Sequence, residues 1–360
     1  MLHIFGVMNR GGAELRTLAL APSLKQQGIH FDYCALSGKT GVLDEEIEQS
    51  GSKVHYCKLS LLFPFAFIRL LKRENYDVVH SHVALSSGFI VFLAWLAGIE
   101  VRISHFRSTQ AGTNNSLIRR IRDTLLRKSL LFFSTKIVGV CHAALDAFLG
   151  KSWNENNRCR VIYNGMMMPP LTSKDDAPEI TADAKAIKVI SIARMDPPKN
   201  HERMIDIMSA LIEQYPNSHL YCIGKTYPEK LQSLQTKISS YGLSENIHFL
   251  GEKSNIHPYL ANANIMLFPS LWEGLPGVVL EAASHGLNVV ASPLPGVIEI
   301  QQLINGVKTI SLDANDREWA DALVTLSVKP KDDTDRDIER FQTSPFHIDK
   351  CLNDYQQLYS

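Results

Sequence analysis

Four things are missing from this chain, and each absence narrows what it can be. No apolar run approaches the roughly 20 residues that a membrane-crossing helix needs. Leu61 to Phe67 and Phe89 to Ala97 are the most hydrophobic stretches, and Leu2 to Val7 is too short for a signal-peptide core before Asn9-Arg10-Gly11-Gly12 intervenes. No cysteine pair has metal-binding or thiol-exchange spacing. The six cysteines, Cys34, Cys57, Cys141, Cys159, Cys222 and Cys351, are scattered and several fall in strand-like runs, so buried thiols in a reducing, cytoplasmic compartment are expected. The Gly-x-Gly-x-x-Gly fingerprint with an acid some 20 residues later is absent, which argues against a dinucleotide oxidoreductase. Net charge is absent as well, but the zero hides an asymmetry. Residues 1–170 hold 20 Lys and Arg against 12 Asp and Glu, and the remainder holds 17 against 25, so the first half is the one suited to an anionic surface.

What is present is a repeating alternation. Short apolar runs alternate with longer helical patterns, which predicts an α/β protein of two doubly wound Rossmann-like units, and 360 residues suffice for about two domains. Strands are predicted at Leu2–Val7, Phe31–Leu36, Asp77–Ser81, Val101–His105 and Lys136–Cys141 in the first half. The second half predicts Lys188–Ile192, His219–Ile223, Ile247–Leu250, Asn264–Phe268 and Asn288–Ala291. The expected division is 1–168, a Pro- and polar-rich linker 169–186, a second domain 187–340, and a last helical segment 341–360 with a stripe at Phe346, Ile348, Leu352, Tyr355 and Leu358. A ligand of such a pair belongs in the cleft, beyond the carboxyl ends of the strands.

Two loops carry the chemistry. In residues 267–286, LFPSLWEGLPGVVLEAASHG, a buried strand leads through Glu273, Gly274 and Leu275 into a helix expected to start at Pro276, with Glu281 about two turns in. Free amides and the positive end of that helix make a seat for an anion, bracketed by two acids. In residues 191–201, SIARMDPPKNH, Arg194 and Lys199 stand on a strand-to-helix loop, a planar fork and a point charge placed to neutralise a diphosphate. An acid at 281 among Val279, Leu280, Ala282 and Ala283 calls for a polar partner, such as a ribose hydroxyl.

On Arg194 with Lys199, Glu273 with Glu281, the Gly11-Gly12-Ala13-Glu14 loop, and the DVVHSH and VIYNG segments, the sequence resembles glycosyltransferase family 4. These are retaining enzymes of the GT-B fold, of the kind acting in cell-surface polysaccharide synthesis. The resemblance spans nearly the whole chain. It implies a nucleotide-diphosphate sugar donor, UDP-linked by preference, and a glycan or lipid-linked glycan acceptor. It implies that Arg194, Lys199 and the Gly11–Gly12 loop hold the diphosphate, Glu281 the ribose, and Gly224 with the Gly251–Asn255 loop, Ser254 included, the base. Glu273 with the Gly274 and Leu275 amides, beside Pro276, then grips the sugar, and His105 faces it. Catalytic roles fall to His105, Glu273, Arg194 and Lys199. The C-terminal helix is expected to cross back onto the first domain. No metal or other cofactor is expected, because two cations and a helix start can hold the leaving charge. His80 and His82 lack further ligands in this reading. Pro197-Pro198 and Met166-Met167-Met168 depart from the family pattern and bear on the hinge and acceptor side.

Residues 116–133, SLIRRIRDTLLRKSLLFF, set Leu117, Ile118, Ile121, Leu125 and Leu126 beside Arg119, Arg120, Arg122, Arg127 and Lys128. The pattern suits either an ordinary surface helix or one resting on anionic lipid at the inner face of the cell membrane. A sugar-nucleotide sensor without turnover, or an epimerase or phosphorylase on the same fold, stays open beside the transferase reading. Nothing in the pattern points to nucleic acid.

Overall fold

The computed structural model describes residues 1–109, 116–170, 176–181 and 183–360. They form two compact units, Met1–Gly165 with Ile348–Ser360, and Met166–His347. Within the expected linker, residues 171–175 and 182 lie outside the described residues.

Each unit is built on a parallel sheet. In the first, β1 (Leu2–Phe5), β2 (Asp32–Ala35), β3 (Val54–Tyr56), β4 (Val78–Ser81), β5 (Val101–Phe106), β6 (Lys136–Gly139) and β7 (Cys159–Val161) lie in the order β3-β2-β1-β4-β5-β6-β7. In the second, β8 (Lys188–Ile192), β9 (His219–Ile223), β10 (Ile247–Gly251), β11 (Ile265–Phe268), β12 (Asn288–Ala291) and β13 (Val307–Thr309) lie in the order β10-β9-β8-β11-β12-β13. The central strands are covered on both faces, and for that reason β1, β11 and β12 read as unbroken apolar or buried runs rather than as alternating ones. In each sheet the order reverses once, between β1 and β4 and between β8 and β11, and those are the points where an open α/β sheet receives its ligand.

Three strands escape the sequence pattern: β3 (VHY), β7 (CRV) and β13 (VKT). Each has three residues, sits at a sheet edge and mixes polar with apolar side chains, so neither length nor hydrophobicity marks it.

Two clusters fill the first unit. On one face Leu20, Leu24 and Tyr33 meet Cys351, Tyr355 and Leu358 of the helix Ile348–Tyr359. On the other, Phe63, Phe67 and Leu71 of the helix Phe63–Glu74 pack on Ile90 and Leu93 of the helix Ser87–Leu96. In the second unit the core gathers Val189, Leu220, Ile265 and Leu267 around Trp319, whose indole N–H donates to the Ser311 carbonyl at 3.0 Å. Among the described residues no helix is long and apolar enough to cross a membrane.

The helix Leu117–Phe133 lies against Ser87–Leu96 in close backbone contact. A Cβ on Gly88 would stand 2.1 Å from the Leu126 carbonyl oxygen, and the Ser129 hydroxyl donates to the Gly88 carbonyl at 2.7 Å. Gly88→Ala therefore sets a helix-propensity gain of about 0.5–1 kcal/mol against overpacking of about 1–3 kcal/mol, and the clash wins. Denaturant unfolding of the first unit should show a net loss of stability, and an unchanged or raised midpoint would refute the close packing.

Candidate active site

The cations and the sugar-side acid predicted from sequence come from loops that follow neighbouring strands at the reversal of the second sheet. After β8 the chain passes Arg194 and Asp196, turns through a 3-10 segment Pro197–Lys199, and enters the helix His201–Gln214. Proline presets φ for so tight a turn, and Asn200 ends it in the left-handed region at φ 55°. The Asn200 amide nitrogen then donates to the Pro269 carbonyl at 3.1 Å, and the Leu271 N–H donates to the Pro198 carbonyl at 2.7 Å, so the loop after β8 is tied to the loop after β11. This pairing of loops brings the Lys199 ammonium onto Glu273 Oε1, each side chain 18% exposed. Phe268, the last residue of β11, lies beneath the ammonium at 5.5 Å from its ring centroid. Arg194 stays 60% exposed, with a guanidinium nitrogen 3.2 Å from Asp196, and so offers a mobile fork beside the fixed Lys199.

The loop Gly274–Pro276 leads into the helix Gly277–Ser284, with Pro276 as its cap at φ −73°. The helix thus begins one residue later than the sequence suggests. Glu281 stands about one turn in, not two, half-buried between Leu280 and Ala282. Gly224, at φ 146°, packs its Cα against the neighbouring strand end: a Cβ there would meet the Ala193 carbonyl oxygen at 2.2 Å. Glycine at 224 is thus required to seat the backbone that carries Arg194. Ser254 is exposed in the loop after β10, next to Lys253, which pairs with Glu179; that carboxylate also accepts from the Tyr259 hydroxyl at 3.0 Å. Burial, with Lys230 and Lys199 nearby, brings His201 down to about 4, against the opposing pull of Asp196.

In the first unit, Gly11 caps the helix Gly12–Gln26, which begins after β1 at the reversal of that sheet. The Glu14 carboxylate folds back across it, to 2.2 Å from where a Cβ on Gly11 would be. His105 lies within β5, fully buried, as are His3 and His80. Four imidazoles assemble there: His3 Nδ1 is 3.0 Å from His82 Nε2, and His80 Nε2 is 3.1 Å from His105 Nδ1. Arg107 joins them, with Nε 3.4 Å from His82 Nδ1 and its terminal nitrogens donating to Asn164, Thr17 and Tyr355. Tyr359 closes the group at 2.9 Å from His80 Nδ1.

Sequence reading found three of these histidines and missed His3, Arg107 and the two tyrosines. The signal for His3 is register, since β1 and β4 pair His3 with His80. Among the described residues, His3, His80 and His82 bring ligand atoms within 4.8 Å of one another, so the third donor that the sequence did not reveal exists. The Arg107 guanidinium beside His82 sets a fixed positive charge against a cation there. Asp-x-Asp spacings occur at Asp333–Asp335 and Asp335–Asp337 on the helix Lys331–Gln342. Asp333 pairs with Arg336 there, and Asp337 with Lys329 at 2.6 Å.

Residues 10–166 match the sequence family described as Glycosyltransferase Family 4, and residues 186–328 match Glycosyl transferases group 1. The capsular polysaccharide biosynthesis glycosyltransferase CapH of Staphylococcus aureus is 31% identical, covering 100% of this chain and 98% of that protein. The chain belongs to glycosyltransferase family 4. A more distant relative of this glycosyltransferase is the Escherichia coli UDP-Gal:alpha-D-GlcNAc-diphosphoundecaprenol alpha-1,3-galactosyltransferase, 25% identical over 63% of this chain and 60% of that protein. The fold matches HepE of Anabaena, solved in complex with UDP, at a TM-score of 0.83 with 15% identity, over 99% of this chain and 98% of that one. The two-unit Rossmann-like architecture expected from sequence is therefore the fold of that solved protein.

The histidine cluster gives this glycosyltransferase a pH signature. Burial first, then the charge of Arg107 and the neighbouring imidazoles, holds His3, His80, His82 and His105 well below the ordinary histidine value of 6.5. The unfolded chain takes up protons near 6.5 that the folded unit refuses, so the stabilisation is complete above that pH and is lost as pH falls through it. The slope rises as pH falls, from near zero at pH 7.5 to half its limit at 6.5, and approaches about 1.4 kcal/mol per pH unit for each histidine below that, or about 5 for all four. Urea unfolding between pH 7.5 and 5.5 should show this dependence, reduced in His3→Phe; a curve flatter than one histidine's slope would mean that the cluster is hydrated.

Proposed function

We propose that this glycosyltransferase moves a hexosyl-type sugar from a UDP-sugar to a glycan or lipid-linked glycan acceptor in polysaccharide assembly, with retention at the anomeric carbon and without a metal. The observation that carries the reading is the Lys199–Glu273 pair, held by two loops that are tied together at the strand-order reversal of the second sheet. Support for the donor comes from HepE, solved also with UDP-glucose, and from the galactosyltransferase whose name states UDP-Gal as its donor. Support for the acceptor class comes from that same name and from the capsular polysaccharide named in the description of CapH.

In the proposed reaction, cleavage between the anomeric carbon and the diphosphate leaves negative charge on the departing group. Lys199 keeps further N–H donors beyond the one directed at Glu273, Arg194 supplies a planar fork, and the first amides of Gly277–Ser284 add the positive end of a helix. Groups already in place where charge develops need no reorganisation during the reaction, and such stabilisation is usually the largest single contribution to lowering the barrier. Glu273, with the amides of Gly274 and Leu275 before Pro276, holds sugar hydroxyls; Glu281 accepts from ribose; Gly224 and Ser254 border the base. From the first unit, His105 serves a sugar oxygen and the Gly11–Gly12 loop a phosphate.

The helix Leu117–Phe133 adds a peripheral contact with anionic lipid to this reading. Its residues Leu117, Ile118, Ile121 and Leu125 are exposed, Ile118 by 81%, where a core-facing stripe would be covered. Arg119, Arg120, Arg122, Arg127 and Lys128 flank them.

The test of the chemistry is release of nucleoside diphosphate from a panel of uridine, guanosine and adenosine diphosphate sugars. Uridine donors should turn over in the presence of a chelator, and the product anomer should match the donor by NMR. Arg194→Ala with Lys199→Ala, and separately Glu273→Gln, should each lower kcat by about 100- to 1,000-fold. Wild-type rates in both variants would remove the assigned roles, and binding without turnover would make the protein a sensor. For the membrane contact, co-sedimentation with phosphatidylserine vesicles should be lost when the five cations are changed to glutamine; retention of binding would remove the electrostatic part of the idea.

A further inference from the structure

Two of the buried imidazoles leave a ring nitrogen with no partner among the described residues, His3 Nε2 and His105 Nε2. What each of these atoms is, donor or acceptor, is decided by the group at the far end of its hydrogen-bond chain. For His3 the far end is Arg107, which can only donate. Arg107 Nε faces His82 Nδ1 at 3.4 Å, so that nitrogen accepts, His82 carries its proton on Nε2 and donates to His3 Nδ1 at 3.0 Å, and His3 in turn carries its own on Nε2. For His105 the far end is the Tyr359 hydroxyl, 2.9 Å from His80 Nδ1. A hydroxyl that accepted from His80 would leave its own proton without an acceptor among the described residues, and the His105 Nε2 lone pair without a donor. By donating, it satisfies itself and makes His80 Nδ1 the acceptor. His80 then carries its proton on Nε2 and donates across 3.1 Å to His105 Nδ1, and the remaining proton of His105 sits on Nε2.

We propose that Tyr359 is a positioning residue that acts through His80 to fix His105 as the Nε2–H tautomer, so that His105 offers a hydrogen-bond donor to a sugar oxygen and is not the base that takes the acceptor's proton. The inference rests on the proposed role of His105 toward the sugar. It adds the tautomer, the residue that sets it and the exclusion of base chemistry at this ring. The geometry supports it in three ways. His80 and His105 are fully buried, so no bulk water competes for either nitrogen. Their rings are nearly parallel, 11° apart, on adjacent paired strands, which holds the two nitrogens of the relay at a fixed separation. Tyr359 belongs to the same helix as Tyr355, Cys351 and Leu358, whose side chains are buried in the first unit's core, so its ring is held in place by the packing of that helix. A buried N–H without an acceptor is costly, and an oxygen brought by a ligand removes that cost, which links the relay to binding.

The test uses the full chain labelled with 15N-histidine. Long-range proton–nitrogen spectra should show His105 protonated on Nε2 and bare on Nδ1 in the wild type. In Tyr359→Phe, which keeps the ring and loses the hydroxyl, the His105 signals should move toward a mixture of tautomers. Tyr355→Phe, which removes a hydroxyl bonded to Arg107 but outside the relay, should leave them in place and controls for general loosening of the helix. With the UDP-sugar that turns over best, Tyr359→Phe should lower kcat by about tenfold, the worth of one hydrogen bond, while KM for the donor stays within about twofold. Protonation of His105 on Nδ1 in the wild type would overturn the proposal, as would a Tyr359→Phe protein with both tautomer and kcat unaltered. A wild-type protein that shows the Nε2–H tautomer, loses it in Tyr359→Phe and turns over no nucleotide sugar would strike the transferase reaction proposed above and leave the relay standing.

Discussion

The interaction on which the site depends is the tie between two loops that leave neighbouring strands of a parallel sheet. A sheet covered by helices on both faces has no polar surface of its own, and its chemistry is confined to strand ends. At β8 and β11 the connections diverge, yet the backbone bond from Leu271 to Pro198 and the Asn200 amide on Pro269 draw the following loops together. Without that tie, Lys199 and Glu273 would be two solvated side chains more than 70 positions apart in sequence. With it they form a half-buried pair over an aromatic ring.

Such a pair is weak evidence of stability, since removal of two charges from water offsets most of their attraction. Its place suggests another reason for keeping it. An ammonium already held by a carboxylate needs little reorganisation when a second anion arrives, and a carboxylate already desolvated is oriented for hydroxyl donors. The contrast with Arg194, mostly exposed on the same loop, is between a fixed charge and an adjustable one. In the first unit the design differs: four neutral rings, one guanidinium and two phenols are packed where a sheet would ordinarily place leucine and valine. Among the described residues, two ring nitrogens of that polar core, His3 Nε2 and His105 Nε2, have no partner.

Much of this was legible in the sequence, for physical reasons that differ from part to part. Strands β8, β9 and β12 begin and end at the predicted residues because each is a buried run bounded by turn-forming or helical sequence. The edge strands β3, β7 and β13 were not legible, since an edge needs no continuous hydrophobic run and three residues carry no period. The cation pair and Glu273 were legible from residue type at strand-to-helix loops. Their contact was not, because it is made by backbone bonds between distant segments. Pro276 read as a first helical residue and serves as the cap, so the helix starts one residue later, and Glu281, four residues beyond Gly277, stands about one turn in. His80, His82 and His105 stood out as polar residues on apolar strands. His3 did not, because its partners come from strand register, and Tyr359 did not, because its partner lies 279 positions away.

The Glu14 carboxylate that folds over Gly11 has a consequence for the first unit. The start of Gly12–Gln26, where the proposed reading puts a phosphate, has a carboxylate of the chain itself beside it. A phosphate arriving there would enter by exchange, evicting one negative group to install another. Its hold would then reflect the difference between two similar partners rather than the full pull of the helix end, and release would be assisted by the tethered competitor waiting three residues along.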